Sequence, residues 1–159
     1  MDKIDYLVLD DRNGQEWDRL GECMEAMYSS LESQGWPFPL AEGGAEMWLK
    51  PVRNTIGRFG RMVVAKTNGS IIGFAHGMIK FLPDYLGGHA IGFVSHIYVD
   101  NNYRETGTGR RMVEMLEEWF RQKKVHSVEL QAITGNKGGI DFWKKLGYLE
   151  ELRQYRKTL

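Results

Sequence analysis

Cysteine is nearly absent from this chain of 159 residues. Cys23 stands alone, so neither a disulfide framework nor a thiolate metal cluster can be built, and no metal is expected. Excess charge of either sign is missing too, because 21 Lys and Arg balance 21 Asp and Glu. That balance argues against a wholesale binder of nucleic acid or of a membrane surface. No apolar run approaches the ~20 residues needed to span a bilayer. Residues 1–12 do not follow the basic, apolar and small-residue order of a signal peptide. A cytoplasmic protein is expected. Repeats, low-complexity tracts and linkers are also missing, and the length suits one domain, 1–159, around a single core.

What is present alternates between strand and helix patterns. Ile4 to Leu9 reads as a first strand. Asn13 and Glu16 have capping-box spacing, and Trp17, Leu20, Met24, Met27, Tyr28 and Leu31 then recur at threes and fours as one helix face. Cys23 lies beside that face as a small hydrophobe. Gly35 to Pro39 must be a loop, and Ala45 to Leu49 suits a short helix ended by Pro51. Trp36, Phe38 and Trp48 either cover an edge of the core or wall a pocket. Arg61 to Thr67 and Ser70 to Leu82 form a hairpin through Asn68-Gly69, the pair that a two-residue type I′ turn prefers. A turn over Pro83 to Gly88 leads to a strand from His89 to Val99.

In that strand the odd positions Ile91, Phe93, Ile97 and Val99 are apolar, with Ser95 the exception, while His96 and Tyr98 occupy the other face. Met112, Met115, Leu116, Trp119 and Phe120 stripe the next helix. Ser127 to Thr134 reads as a strand, Lys137 to Leu146 as a short helix stopped by Gly147, and Tyr148 onward as a last strand. The expected class is therefore α/β (α+β): a mixed, mostly antiparallel sheet of six to seven strands with about four helices packed on it.

Between the long strand and the striped helix lies Arg104-Glu105-Thr106-Gly107-Thr108-Gly109-Arg110-Arg111. Glycines let the main chain approach an anion, and the first amides of a helix point at it. The stretch is not a P-loop, since no Lys-Ser/Thr follows, and it lacks the three-glycine spacing of a dinucleotide fold. Spacing alone leaves phosphate binding and a merely tight turn as alternatives.

Arg104 to Gly109 matches the Arg/Gln-x-x-Gly-x-Gly/Ala signature of the GNAT N-acetyltransferase superfamily, and the chain resembles that family again downstream. Asn136-Lys137-Gly138-Gly139-Ile140-Asp141-Phe142-Trp143-Lys144-Lys145-Leu146-Gly147-Tyr148 is similar to its Asn-x-x-Ala-x-x-Phe-Tyr-x-Lys-Leu-Gly-Phe segment. The resemblance implies acetyl-CoA as co-substrate and a primary amine of a small molecule or peptide as acceptor. It implies that the main chain of Arg104, Glu105, Thr106, Gly107, Thr108, Gly109 and Arg110 holds the pyrophosphate. Ile97, Tyr98 and Val99 would line the pantetheine arm, with Asn136 and Trp143 beside the cofactor.

The resemblance fails at two catalytic positions. The tyrosine acid of the family is Trp143 here, and the usual glutamate base, five residues before the asparagine, is Gln131. A thiol of pKa about 8.5 leaves tolerably without an acid, so the base matters more. Two solutions follow: an acceptor amine of low pKa, or a base from the central strand, for which His96 is the candidate. Ser95 would then hold a relaying water, His76 is a second candidate, and Tyr98 or Tyr148 would replace the missing phenol. The competing reading is an acetyl-CoA-binding sensor or interaction module without turnover. A nucleic-acid partner is not expected, nor is a membrane. The last strand offers an exposed edge through which a homodimer would pair.

Overall fold

The structure is a computed structural model that describes residues 2–159. Its sheet has five strands in the order of the sequence: β1 (Asp5–Val8), β2 (Gly60–Thr67), β3 (Ser70–Phe81), β4 (Ala90–Val99) and β5 (Val128–Leu130). The first four pair antiparallel and β5 runs parallel to β4. Four α-helices cover the two faces: α1 (Gly14–Ser33), α2 (Gly44–Thr55), α3 (Thr108–Gln122) and α4 (Lys137–Lys145).

Each face has its own core. Trp17, Leu20, Met24 and Met27 of α1 are all buried, as their helical spacing requires, and meet Leu49 of α2 and Met62, Val64 and Phe74 of the sheet. On the opposite face Met112, Leu116, Trp119 and Phe120 of α3 pack on Val63, Ala75 and Val94. Two glycines let α3 sit close. A Cβ at Gly77 or at Gly92 would come within 2.8 Å of the Phe120 ring. The β2–β3 hairpin turns through Asn68 and Gly69 at φ 48° and 77°, the left-handed pair that a type I′ turn demands.

Four expectations need correction. The sheet has five strands and not six to seven, because no strand forms after Tyr148 among the described residues. Leu149, Leu152, Tyr155 and Leu159 recur at threes and fours, so no single face of a strand would be apolar; Leu149 and Tyr155 are 90% and 86% exposed. The helix expected to stop at Pro51 instead continues to Thr55. An interior proline costs about 3 kcal/mol, but burying a large apolar side chain returns about 1.5–3 kcal/mol, and Trp48, Leu49 and Val52 all join the core.

Asn13 does precede α1, yet its side chain accepts the Asp10 amide (2.9 Å) and makes no bond to the first turn of the helix. Glu16 is drawn away as well, to Lys66 on β2 (2.5 Å). Finally, β4 does not keep one parity. The register slips between His76 and Gly77, so Gly77 faces Val94 while His76 faces His96, and Ser95 is the extra residue of a bulge. Ile97 and Val99 therefore share the α3 face with Val94, not with Phe93.

Candidate active site

The bulge at Ser95 marks where the sheet opens. β5 pairs with β4 only from Gly92 to Val94. Beyond that point β4 runs on to Val99 with a partner on the β3 side alone. Alternate main-chain groups from Ser95 to Val99 thus have no neighbouring strand on that side, where the β4–β5 pairing has opened into a cleft-like gap, and are left to a side chain, water or a ligand. Ile97 and Val99 point their side chains into the α3 core, and Tyr98 packs near Phe74 (6.4 Å between centroids) on the α1 side. What this part of the strand offers to the cleft is backbone.

A single turn, Asn101–Tyr103, and a short loop carry the chain from the strand to the mouth of α3. Arg104 folds back, its Nε donating to the Val99 carbonyl oxygen (3.0 Å). Glu105 and Gly107 both adopt positive φ, 62° and 87°, and Gly107 has open space where a side chain would stand. The first helical bond is Arg111 N to Gly107 O (3.0 Å), so the amides of Thr108, Gly109 and Arg110 precede the ladder. Thr106 and Thr108 hydroxyls bond each other (2.8 Å) beneath the loop, with Thr106 also donating to the Tyr103 carbonyl oxygen. Arg110 and Arg111 both lean on Glu114, at 3.0 and 3.7 Å. Their charge is partly balanced, so main-chain amides and the helix dipole carry the attraction for an anion. These features fit a pyrophosphate.

On the other face of β4 lies a polar cluster inside an aromatic box. His76 and His96 stand opposite each other on β3 and β4. Ser95 Oγ lies 2.6 Å from His76 Nδ1 and 2.9 Å from His96 Nδ1. His96 Nε2 meets the Tyr28 hydroxyl of α1 at 3.2 Å. Trp48 of α2 covers both rings, at 4.4 Å from His96 and 5.3 Å from His76. Burial pushes the His96 imidazole down to about 4, and burial together with the charge His96 would carry pushes His76 down to about 3. Both rings are neutral at physiological pH. Burial also raises the Tyr28 phenol, which stays protonated.

The other candidates fall elsewhere. Asn136 caps α4, its Oδ1 accepting the Gly139 amide (3.0 Å). Trp143 is buried edge-on between Phe142 and Tyr148. The Tyr148 hydroxyl is engaged elsewhere: it donates to Glu117 (2.9 Å), and burial with that hydrogen bond raises it far above the usual range. Gln131 is exposed. Cys23 is pushed up to about 11 by burial and holds its proton. Trp36 and Phe38 meet edge to face (5.7 Å), with Arg156 of the C-terminal segment over Phe38 (4.7 Å). Among the described residues no three His, Cys, Asp or Glu side chains are grouped to hold a metal ion.

Sequence reasoning missed Tyr28, which sits on the apolar stripe of α1 and reads there as core. It also missed the direct contact of Ser95 with both histidines, because periodicity does not announce a bulge.

Comparison with known proteins bears on the same residues. The model of the acetyltransferase (GNAT) family matches residues 24–148. The chain is 30% identical over 109 residues to a glucosamine 6-phosphate N-acetyltransferase of Trypanosoma brucei brucei, covering 68% of this chain and 71% of that protein. The BH1408 protein of Bacillus halodurans has the same fold, with a TM-score of 0.81 at 16% identity over 98% of this chain and 99% of that one. So does the aminoglycoside N-acetyltransferase AAC(6')-Iy, whose structure holds CoA: TM-score 0.76 at 15% identity, covering 100% and 97%.

Proposed function

We propose, from the premise that this chain belongs to the acetyltransferase (GNAT) family, that it acetylates a primary amine brought to the α1–α2 side of the sheet, with His96 receiving the proton of that amine. The chain is an N-acetyltransferase, and acetyl-CoA is its acetyl donor. The observation that carries the site assignment is the half-paired stretch of β4 beyond Val94, which is joined by the short turn of Asn101–Tyr103 to the loop at the mouth of α3.

In this assignment the pyrophosphate lies against Arg104 to Arg110 and the pantetheine arm follows Ile97, Tyr98 and Val99. Asn136 and Trp143 support the cleft from α4, as cap and as packing. The thioester carbonyl sits by the bulge, where a main-chain N–H can stabilise its developing oxyanion. The neutral amine attacks that carbonyl, a C–N bond forms and the C–S bond breaks. The proton of the resulting ammonium moves through the Tyr28 hydroxyl to His96 Nε2. The thiolate leaves unassisted, since its pKa of about 8.5 makes it a tolerable leaving group.

A neutral, weakly basic imidazole favours an amine of modest pKa. An α-amine near 7.7–8.0 is partly neutral at pH 7, whereas a lysine-type amine near 10.4 is not. The 30%-identical relative is named for an amino sugar phosphate, so amino sugars head the acceptors to be tried. Release of thiol from acetyl-CoA, measured with amino sugars, aminoglycosides, polyamines and peptides, tests the assignment. Turnover that falls about 100-fold or more in His96→Ala supports it. Tight acetyl-CoA binding without turnover on any amine favours the sensor reading.

Two further proposals concern setting. No helix among the described residues is long and apolar enough to cross a membrane, and a cytoplasmic enzyme suits the charge balance. The bare apolar side chains of residues 149–159 and the open outer edge of β5 suit a homodimer; a concentration-independent monomer mass would exclude it.

A further inference from the structure

Ser95 Oγ is shared by three contacts: His76 Nδ1 at 2.6 Å, His96 Nδ1 at 2.9 Å and the His76 carbonyl oxygen at 3.4 Å. A serine hydroxyl has one proton and two lone pairs, so the direction of that proton dictates the tautomer of both rings. Only three directions exist.

If the proton points at His76 Nδ1, that ring carries its hydrogen on Nε2. This atom is buried without a partner, in a residue only 2% exposed. A buried N–H left unpaired is among the rarest features of folded proteins. If the proton points at His96 Nδ1, then His96 donates from Nε2 to the Tyr28 oxygen, and the phenol, in a half-buried residue, has only solvent to take its own hydrogen. If it points at the His76 carbonyl, both imidazoles donate from Nδ1 into the two lone pairs of Ser95. Tyr28 then donates to His96 Nε2, and the sole unmatched atom is a lone pair on His76 Nε2. Only this last arrangement gives every donor a partner within the protein.

We infer that Ser95 and His76 are positioning residues that hold His96 as its Nδ1–H tautomer, with the Nε2 lone pair turned toward Tyr28 and the acceptor. The inference deepens the reading in which His96 receives the amine's proton, and rests on it for its catalytic meaning. The bulge brings the serine hydroxyl between the two rings, where a regular strand would have turned Ser95 to the opposite face from His96. His76 fills the second lone pair of that hydroxyl and keeps the serine proton on the carbonyl. Trp48, packed on both rings, restrains their rotation. A base whose lone pair already faces the incoming proton needs no ring flip before transfer.

The test is a long-range proton–nitrogen correlation spectrum of the histidine rings in the full-length protein at neutral pH, without acetyl-CoA. His96 is expected to show a protonated Nδ1 and a bare Nε2. Ser95→Ala should abolish that pattern and Ser95→Thr should retain it. At position 76 asparagine places an amide where Nδ1 was, and glutamine places it where Nε2 was. His76→Asn should therefore keep the His96 tautomer and His76→Gln should lose it. In turnover, Ser95→Ala should lower kcat about 10- to 100-fold with the KM for acetyl-CoA unchanged, and Ser95→Thr should recover most of the loss. An Nε2–H tautomer at His96, or a pattern indifferent to Ser95→Ala, overturns the positioning role. Full turnover in His96→Ala overturns the base assignment instead, whatever the tautomer.

Discussion

Gly109 faces Phe142: a Cβ at Gly109 would lie 3.4 Å from two carbons of the Phe142 ring and 3.6 Å from the Val99 side chain. The glycine is in the first turn of α3 and the phenylalanine is on α4, so the two motifs of the C-terminal half close on each other at the end of β4. The absence of a side chain at 109 keeps α4 against the mouth of α3, and the helix amides stay open to the cleft.

That contact separates two neighbouring glycines. Gly109→Leu should collide with Phe142 and close the mouth, lowering acetyl-CoA affinity at least about 10-fold. Gly107 has room around it but sits at φ 87°, so Gly107→Ala should cost about 1 kcal/mol of stability through backbone strain. Its effect on acetyl-CoA affinity should be smaller. Calorimetric titration and denaturant unfolding of the two variants check both halves. A Gly109→Leu protein with wild-type affinity would contradict the placement of the pyrophosphate.

Tyr148 should prove structural. Its hydroxyl is bonded to Glu117 of α3. Tyr148→Phe is expected to leave kcat within about twofold and to cost about 1.5–3 kcal/mol, the range for a hydrogen bond to a charged acceptor. A large fall in kcat with unchanged stability would restore the phenol as an acid.

Acid should destabilise the protein through its two central histidines. Their folded values, about 3 for His76 and about 4 for His96, lie below the unfolded value of 6.5. Between those limits the unfolded chain binds more protons than the native one, so stability rises with pH there and levels above about 6.5. The unfolding midpoint should therefore fall steadily from pH 6.5 toward pH 4. In His76→Asn the slope should be shallower by close to one proton. A variant slope equal to that of the wild type would show that His76 titrates normally in the fold.

Much of the architecture was legible because it rests on local rules. Asn68-Gly69 fixes a turn of one hand, Trp17 to Met27 can bury only as a helix, and the glycines at 107 and 109 open α3 where expected. The site was half legible for the same reason: its cofactor side is main chain ordered by glycine, and glycine is visible in a sequence. The acceptor side depends on long-range placement. Tyr28 meets His96 across 68 positions of chain, and Ser95 meets His76 across 19, through a bulge that no alternation signals. Pro51 misled because burial of the residues around it outweighs its local cost. Tyr148 and the segment after it misled because its residue types suit a strand while its apolar members, Leu149, Leu152, Tyr155 and Leu159, do not share one strand face.

The account stands on the open edge of β4 and the mouth of α3 acting together as the seat of acetyl-CoA. Hydrogen–deuterium exchange with and without acetyl-CoA measures that seat directly, amide by amide. The account predicts slowed exchange confined to Ser95–Val99 and Glu105–Arg110, with the outer face of α3 unchanged. Slowing elsewhere, with both of these stretches exchanging as fast as in the free protein, would contradict it.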